Sequence, residues 1–552
     1  MLENIKDFGS YSWAPDGSFI IYSVTEKAPE DKNGVHRLKG MEDRQPHLRN
    51  RNFLYIVNLP QGTRRRLTAG EISTDLNSVS PDGKKIIFSH LLSNYEERPF
   101  SKTQFYILNL ATLKLDSLWT SKWRGYVQWS PDGKKLLVIG APSMFGDIGV
   151  NVPEGTIPND YDTQAYIYDF KTGSIEPITR DFDPQINQAI WSKTENAIYF
   201  RVTDRSYGNL YRYDLKKKRF NLIKSEVEVM RRLDIANNKA VAVYYGSSAA
   251  VPYKAYIMDL KKKSRLLIDP GKKDYKDVVL SKVERWTFKN ERNFEIEGRI
   301  YYPPNFDPKK KYPCIVYYYG GTSPVTRDFD GRYPKNLYSA QGYVVYVMQP
   351  SGATGFGQEF SALHVNEWGT IVVNEIIDGT KKLLAAHPFI DKSHVGCIGA
   401  SYGGFTTELL LTKTDIFSTA VSHAGISSIA SYWGEGYWGY EYGAVANANS
   451  FPWNKKEYFI NQSALFNADK INTPILLTHG MADTNVPPGE SIQLYTALKL
   501  LGREVELIQF NGENHFILDY NKRSQWTKSI MAWFDKWLKE QPQWWDDLYL
   551  SE

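Results

Sequence analysis

A turn signature, Trp/Val-Ser/Ala-Pro-Asp-Gly followed by an apolar run, recurs through the first half of the chain. It stands as Trp13-Ala14-Pro15-Asp16-Gly17 before Phe19-Ile20-Ile21-Tyr22, and as Val79-Ser80-Pro81-Asp82-Gly83 before Ile86-Ile87-Phe88. A third copy is Trp129-Ser130-Pro131-Asp132-Gly133 before Leu136-Leu137-Val138, and Trp191-Ser192-Lys193 before Ala197-Ile198-Tyr199-Phe200 is a decayed fourth. Proline presets φ and glycine takes the positive φ, so each copy predicts a tight hairpin between strands. A second signature is a strand closing on Asn/Asp-Leu/Phe, then a polar turn. Its markers are Asn58, Asn109, Asp169, Asp214 and Asp259, at spacings of 51, 60, 45 and 45 residues. Four short strands at this period describe a β-propeller blade, against the competing readings of a β-sandwich or a plain meander. About five blades are visible, so residues 1–280 read as an all-β propeller, incomplete or with further blades that carry no signature.

From about Lys282 the period changes. A hairpin over Glu284-Arg285-Trp286-Thr287-Phe288 and 296–302 leads into short apolar strands at 314–319, 343–348, 395–399, 420–422, 475–478 and 505–510. Helical stretches over about 370–386, 403–413, 488–501 and 522–539 alternate with them. The last carries Trp526, Ile530, Trp533, Phe534 and Trp537 near helical spacing. Such alternation predicts a mostly parallel sheet covered on both faces, so residues 281–552 read as an α/β-hydrolase domain.

Within it, Gly399-Ala400-Ser401-Tyr402-Gly403-Gly404 is a G-x-S-x-G motif between a strand and a helix, the context of a nucleophile elbow. The small residues permit a sharp turn that lifts the Ser401 hydroxyl off the sheet, and the Tyr402 N–H at the helix start faces a developing oxyanion. A glycine-rich connector with a solvent-facing serine is the competing reading. Serine needs a base, and in this architecture the chain order is Ser, Asp/Glu, His. Of nine histidines, only His423, His479 and His515 follow Ser401. His515 alone lies in a loop beyond the last strand, whereas His423 and His479 at strand ends read as structural. Asp483, in the loop after the strand 475–478, is the expected orienter, and Glu513 is its rival. The loop Tyr317-Tyr318-Tyr319-Gly320-Gly321-Thr322 supplies the second oxyanion donor, the phenol of Tyr319. Packing alone is the alternative for that ring.

These residues resemble the prolyl oligopeptidase family of serine peptidases, which join a β-propeller to an α/β-hydrolase domain. The resemblance rests on Gly399–Phe405, on His479-Gly480-Met481-Ala482-Asp483-Thr484-Asn485-Val486-Pro487 and on Asn514-His515. It implies an oxyanion role for Tyr319, substrate-carbonyl and S1-pocket roles for Asn485 and Val486, and a pocket role for Tyr402. In Tyr432-Trp433-Gly434-Glu435-Gly436-Tyr437-Trp438 it implies S1 aromatics, Tyr432 first and Tyr437 second. Dipeptidyl peptidases carry paired glutamates for the substrate amine. Glu96-Glu97 here follows the wrong strand, so that role is not transferred, and the acylaminoacyl and endo-oligopeptidase branches stay open.

Net charge is +5, and the basic runs at 64–66, 216–218, 261–263 and 309–311 are scattered over turns. They read as solvated faces, with no nucleic-acid partner expected. No apolar stretch reaches the roughly 18 residues a membrane helix needs, so no membrane partner is expected. Met1 to Asp7 does not read as a signal peptide. The compartment is therefore open: cytoplasmic as the chain stands, periplasmic if residues precede it. Two cysteines, Cys314 and Cys397, lie in strand-like runs and read as buried. No Cys/His spacing suggests a metal, and no cofactor is expected. The partner is a peptide, and a homo-oligomer is compatible with all of this. The expected activity is a serine-type peptidase cleaving short peptides through an acyl-enzyme on Ser401; the alternative is a carboxylesterase with the same triad.

Overall fold

The Pro-Asp-Gly turns form because each of their residues has a local job. The Gly83 and Gly133 N–H groups donate to the Ser80 and Ser130 carbonyls at 2.9 and 3.0 Å, and both glycines have positive φ, 69° and 70°. Asp82 Oδ1 accepts from the Ser80 hydroxyl at 2.7 Å and the Lys84 N–H at 3.0 Å, and Asp132 repeats the pattern. In the second signature, Asn109, Asp169 and Asp214 turn their side-chain oxygens onto the N–H groups that follow. Serine, aspartate and asparagine therefore satisfy backbone donors that the hairpin leaves open.

The computed structural model describes residues 5–260 and 263–550. The leader reading at Met1 to Asn4 and the Lys261-Lys262 part of one basic run lie outside the described residues. Five blades of four antiparallel strands are present among the described residues, the first built from Phe8–Trp13, Phe19–Glu26, Arg51–Asn58 and Arg64–Arg66. The others span 75–121, 125–177, 185–223 and 229–268. The fourth and fifth share one sheet through a single parallel pairing, Gly208 with Val229. An apolar cluster fills each junction between successive blades, as with Leu54, Ile56, Ile86 and Phe88 between the first and second.

The second domain is one eight-stranded sheet. In spatial order its strands are Lys282–Lys289, Glu295–Tyr302, Val344–Gln349, Tyr312–Tyr317, Ile390–Ala400, Thr419–His423, Ile475–Gly480 and Val505–Phe510. The first two are antiparallel; the last six run parallel to one another. Alternate residues face opposite cores. Val316, Val344 and Leu477 pack under Thr370–Ala386, Tyr402–Leu411 and Gly489–Leu500, whereas Ile315, Val345 and Leu476 pack under Tyr520–Leu538. That last helix buries Trp526, Ile530, Trp533 and Phe534. Cys314 and Cys397 are buried free thiols. No described helix is long and apolar enough to cross a membrane.

Each blade meets the hydrolase domain through the connection between its second and third strands. Arg44 donates to the Gly434 carbonyl at 2.6 Å, and Arg98 to the Ala444 carbonyl. Asn159 reaches Thr322 Oγ1 at 3.0 Å, Ser206 reaches Glu297, and Asn336 Nδ2 reaches the Ala249 carbonyl at 2.9 Å. The two repeated signatures sit on the opposite rim, facing away from the hydrolase.

Candidate active site

Ser401 ends its strand at φ 60° and ψ −120°, a conformation that L-residues avoid. The surroundings enforce it. Its N–H donates to the His423 carbonyl at 2.8 Å, and a Cβ on Gly399 would lie 2.0 Å from the Gly403 carbonyl oxygen. On Gly404 a Cβ would lie 2.6 Å from Gly425 Cα. Small residues are thus required on both sides of Ser401. Tyr402 opens the helix, so its N–H lacks an intrahelical acceptor and is free for an oxyanion. Its phenol instead bonds the Trp368 carbonyl, which fixes the ring as a wall.

The loops after the last two strands are laced together: the Ala482 N–H donates to the Glu513 carbonyl at 2.8 Å and the Met481 N–H to the Phe510 carbonyl at 3.0 Å. Asp483 Oδ2 lies 2.7 Å from His515 Nδ1, and Oδ1 accepts the Asn485 and Val486 N–H groups at 2.8 and 3.0 Å. A carboxylate facing Nδ1 fixes the proton there and leaves Nε2 able to accept one. Burial opposes the Asp483 charge, but hydrogen bonds from His479 and His515 outweigh it and hold the carboxyl below its usual range. Burial pushes His515 down, against the opposing pull of Asp483. Glu513, the rival orienter, faces away: its oxygens take the Leu518 N–H at 2.8 Å and Lys522 Nζ at 3.0 Å.

His423 bonds Thr478 Oγ1 at 2.9 Å. His479 has a larger part than its strand-end position suggests. Its Nδ1 meets Ser491 Oγ at 2.7 Å, and its Nε2 meets the Val486 carbonyl at 2.8 Å and Asp483 Oδ2 at 3.4 Å. It is a second support for Asp483, a part that its place at the head of the 479–487 motif does not by itself reveal.

Tyr319 and Ser401 border the same two cavities. Burial raises the Tyr319 pKa and the nearby Arg332 charge and Ser401 oppose that, so it stays a protonated donor. Two cavities meet at Ser401. One, of about 520 Å³, is lined by Tyr402, Ile426, Tyr432, Trp438 and Tyr442 with Tyr161 from the propeller. Tyr432 lies in that wall. Tyr437 does not: its N–H is tied to the Thr484 carbonyl at 2.8 Å and its ring lies edge-on to Trp438 at 4.6 Å, which leaves Trp438 and, one turn on, Tyr442 to face the cavity. Val486 also lines neither cavity. It is buried beneath the site, its N–H on Asp483 and its carbonyl on His479. Asn485 lines both cavities, and its Oδ1 is buried without a partner among the described residues. The second cavity, of about 400 Å³, is lined by His515, Phe516, Arg332, Arg231 and Lys335. Glu97, one of the sequence pair considered for an amine, is engaged by Lys102 and Lys122 at 3.0 Å each.

Residues 331–541 match the model of the prolyl oligopeptidase family. The chain is 24% identical over 84% of its length to dipeptidyl-peptidase 5 of Porphyromonas gingivalis, spanning 67% of that protein. It is 23% identical over 95% of its length to an uncharacterized peptidase of Bacillus subtilis, spanning 82% of it. Other curated dipeptidyl-peptidases of this type are matched over about half of their length. Among solved structures, Pyrococcus horikoshii acylaminoacyl peptidase superposes with a TM-score of 0.79 at 22% identity, covering 97% of this chain and 82% of that one. At that identity the likeness concerns the fold.

Proposed function

From a chain whose residues 331–541 are a prolyl oligopeptidase family domain, we propose a serine peptidase that cleaves short peptides through an acyl-enzyme on Ser401. The observation that carries this is the 2.7 Å contact of His515 with Asp483, beside a serine held at φ 60° in the wall of the same cavity as His515. Ser401 Oγ attacks the peptide carbonyl and its proton passes to His515 Nε2. The oxyanion is received by the Tyr402 N–H and the Tyr319 phenol. His515 then protonates the departing amine, and water repeats the sequence to free the acid. The aromatic cavity receives the side chain of the acyl residue, and Asn485 binds the adjoining peptide group. Because the propeller loops close over this space, only short or unfolded peptides reach it.

A fluorophosphonate probe and a peptidyl p-nitroanilide test the reading together. The wild type is labelled and releases nitroaniline; Ser401→Ala does neither, a loss on the order of 10⁶ in kcat. Labelling that persists in Ser401→Ala moves the nucleophile elsewhere. Vigorous p-nitrophenyl ester turnover without amide cleavage makes the chain a carboxylesterase.

A further inference from the structure

The two cavities at Ser401 differ in chemistry. Ser401, Tyr319, Ser323 and Asn485 border both, but Tyr402, Tyr432 and Tyr442 border only the aromatic one, and His515 and Phe516 only the other. In acyl transfer the imidazole gives its proton to the departing amine, so the departing part of the substrate occupies the side that His515 faces. That side is basic. Arg332 lies over the Phe516 ring at 4.2 Å, next in sequence to His515. Its Nη1 is buried and has no hydrogen-bond partner among the described residues, and no carboxylate pairs with it there. The other charges of this cavity are engaged. Arg231 pairs with Asp328 at 2.7 Å, Lys335 Nζ donates to the Asp330 carbonyl at 2.7 Å, and the Asp330 carboxylate takes the Tyr253 hydroxyl at 2.8 Å. Beyond Arg231, a propeller cavity is lined by Arg201, Arg231 and Arg232, so the positive field continues outward.

We propose that this cavity holds a departing segment ending in its own α-carboxylate, and that Arg332 is the partner of that carboxylate. A guanidinium without a counter-ion is suited to bidentate recognition of a carboxylate, which a neutral carboxamide cannot reproduce. Productive substrates are then peptides whose scissile bond lies one or two residues from the C-terminus. The acyl portion is transferred to Ser401 Oγ. The C–N bond breaks, and the departing free amino acid or dipeptide takes the proton that Ser401 gave to His515. Arg332 also opposes protonation of His515, so a bound carboxylate that neutralises it favours the imidazolium at the moment it must form.

The inference rests on the peptidase reading, and the test separates the two. N-benzyloxycarbonyl tripeptides of one sequence, as free acid and as C-terminal carboxamide, are digested with the full chain and products are quantified by mass spectrometry. The wild type is expected to prefer the acid by about tenfold or more in kcat/KM, mainly through KM. Arg332→Gln brings that ratio toward unity, and Arg332→Lys, a point charge without the fork, restores part of it. The ratio is taken within one protein sample, so partial misfolding of a variant cancels. Equal cleavage of acid and amide by the wild type overturns the inference and leaves the peptidase reading standing. So does a full acid preference in Arg332→Gln, or cleavage of a p-nitroanilide with neither tripeptide cut. Absence of both amide turnover and fluorophosphonate labelling overturns the peptidase reading, and this inference with it.

Discussion

At the residue scale the site depends on which nitrogen of His515 carries the proton. Asp483 Oδ1 accepts two backbone N–H groups, from Asn485 and Val486. In Asp483→Asn the amide oxygen must stay on those donors, so the NH₂ is forced against His515 Nδ1. The imidazole then keeps its proton on Nε2 and cannot accept one from Ser401. The expected loss is about 10⁴-fold in kcat with KM nearly unchanged, read with a p-nitroanilide; a loss under about tenfold would mean another group orients the base. The pH profile carries its own sign. The base must be neutral, and burial lowers His515 from its ordinary 6.5. The acid limb of kcat/KM is therefore centred below pH 6.5, with activity rising as pH passes up through it. A limb at or above 7 would contradict that environment. That Ser401, Asp483 and His515 lie after strands at one edge of the sheet was readable because each follows a strand in the order this architecture imposes. His479 and Arg332 were not, because their importance comes from what they face across loops, not from spacing.

At the element scale the constraint is the turn between Ile390–Ala400 and Tyr402–Leu411. A methyl group on Gly399 would meet the Gly403 carbonyl oxygen at 2.0 Å and Thr407 Oγ1 at 2.8 Å. Both belong to the buried helix Tyr402–Leu411, and the nearest atoms are its backbone, so no flexible side chain can yield. Gly399→Ala is therefore expected to destabilise the domain by more than about 3 kcal/mol, seen as a large fall in thermal midpoint or as insoluble protein. A variant within about 1 kcal/mol of wild type would show that the elbow relaxes. The same scale explains what the sequence revealed of the propeller. The Pro-Asp-Gly and Asn/Asp turns lie on the rim away from the hydrolase, where each copy solves the same local hydrogen-bond problem and so repeats. The rim toward the hydrolase meets a different surface at every blade: Arg98 a helix-end carbonyl, Asn159 the Thr322 hydroxyl, Ser206 a buried carboxylate. No common sequence can serve those contacts, and Tyr161 of the aromatic cavity, on that rim, carried no signal. Tyr437 was misplaced for a related reason. A run of Tyr and Trp does not say which ring faces inward until the Trp438 turn and the helix Gly439–Ala446 set the register.

At the scale of the whole molecule, the aromatic cavity is complete only while Tyr161 on the propeller rim stays seated against the hydrolase domain, and one contact is expected to make that seating pH-dependent. Asp162 is buried between blade three and the residues before Thr370–Ala386. Its Oδ2 accepts the Ser361 hydroxyl at 2.7 Å, while Oδ1 has no partner among the described residues. Neighbouring Asn159 donates to the Ser361 carbonyl at 3.2 Å and to Thr322, in the loop that carries Tyr319. Burial, with the nearby Asp183 charge, outweighs the hydrogen bonds from Ser361 and the Gly355 N–H and carries the Asp162 carboxyl from its ordinary 3.8 to about 7. A carboxyl raised on folding holds its proton when the unfolded chain has already lost it. Its contribution is full below pH 4, declines as pH rises from there through about 7, and is flat above. The range amounts to at most about 4 kcal/mol. Asp162→Asn, neutral at every pH and still able to accept the Ser361 hydroxyl on its amide oxygen, removes this dependence. Thermal midpoints at pH 5 and pH 8 measure it: the wild type should lose more on the alkaline side than Asp162→Asn, and the variant should be the more stable of the two at pH 8. Equal losses in the two proteins would mean that Asp162 is ionised in the folded state at both pH values, with water or a shifted rim supplying further donors to its carboxylate.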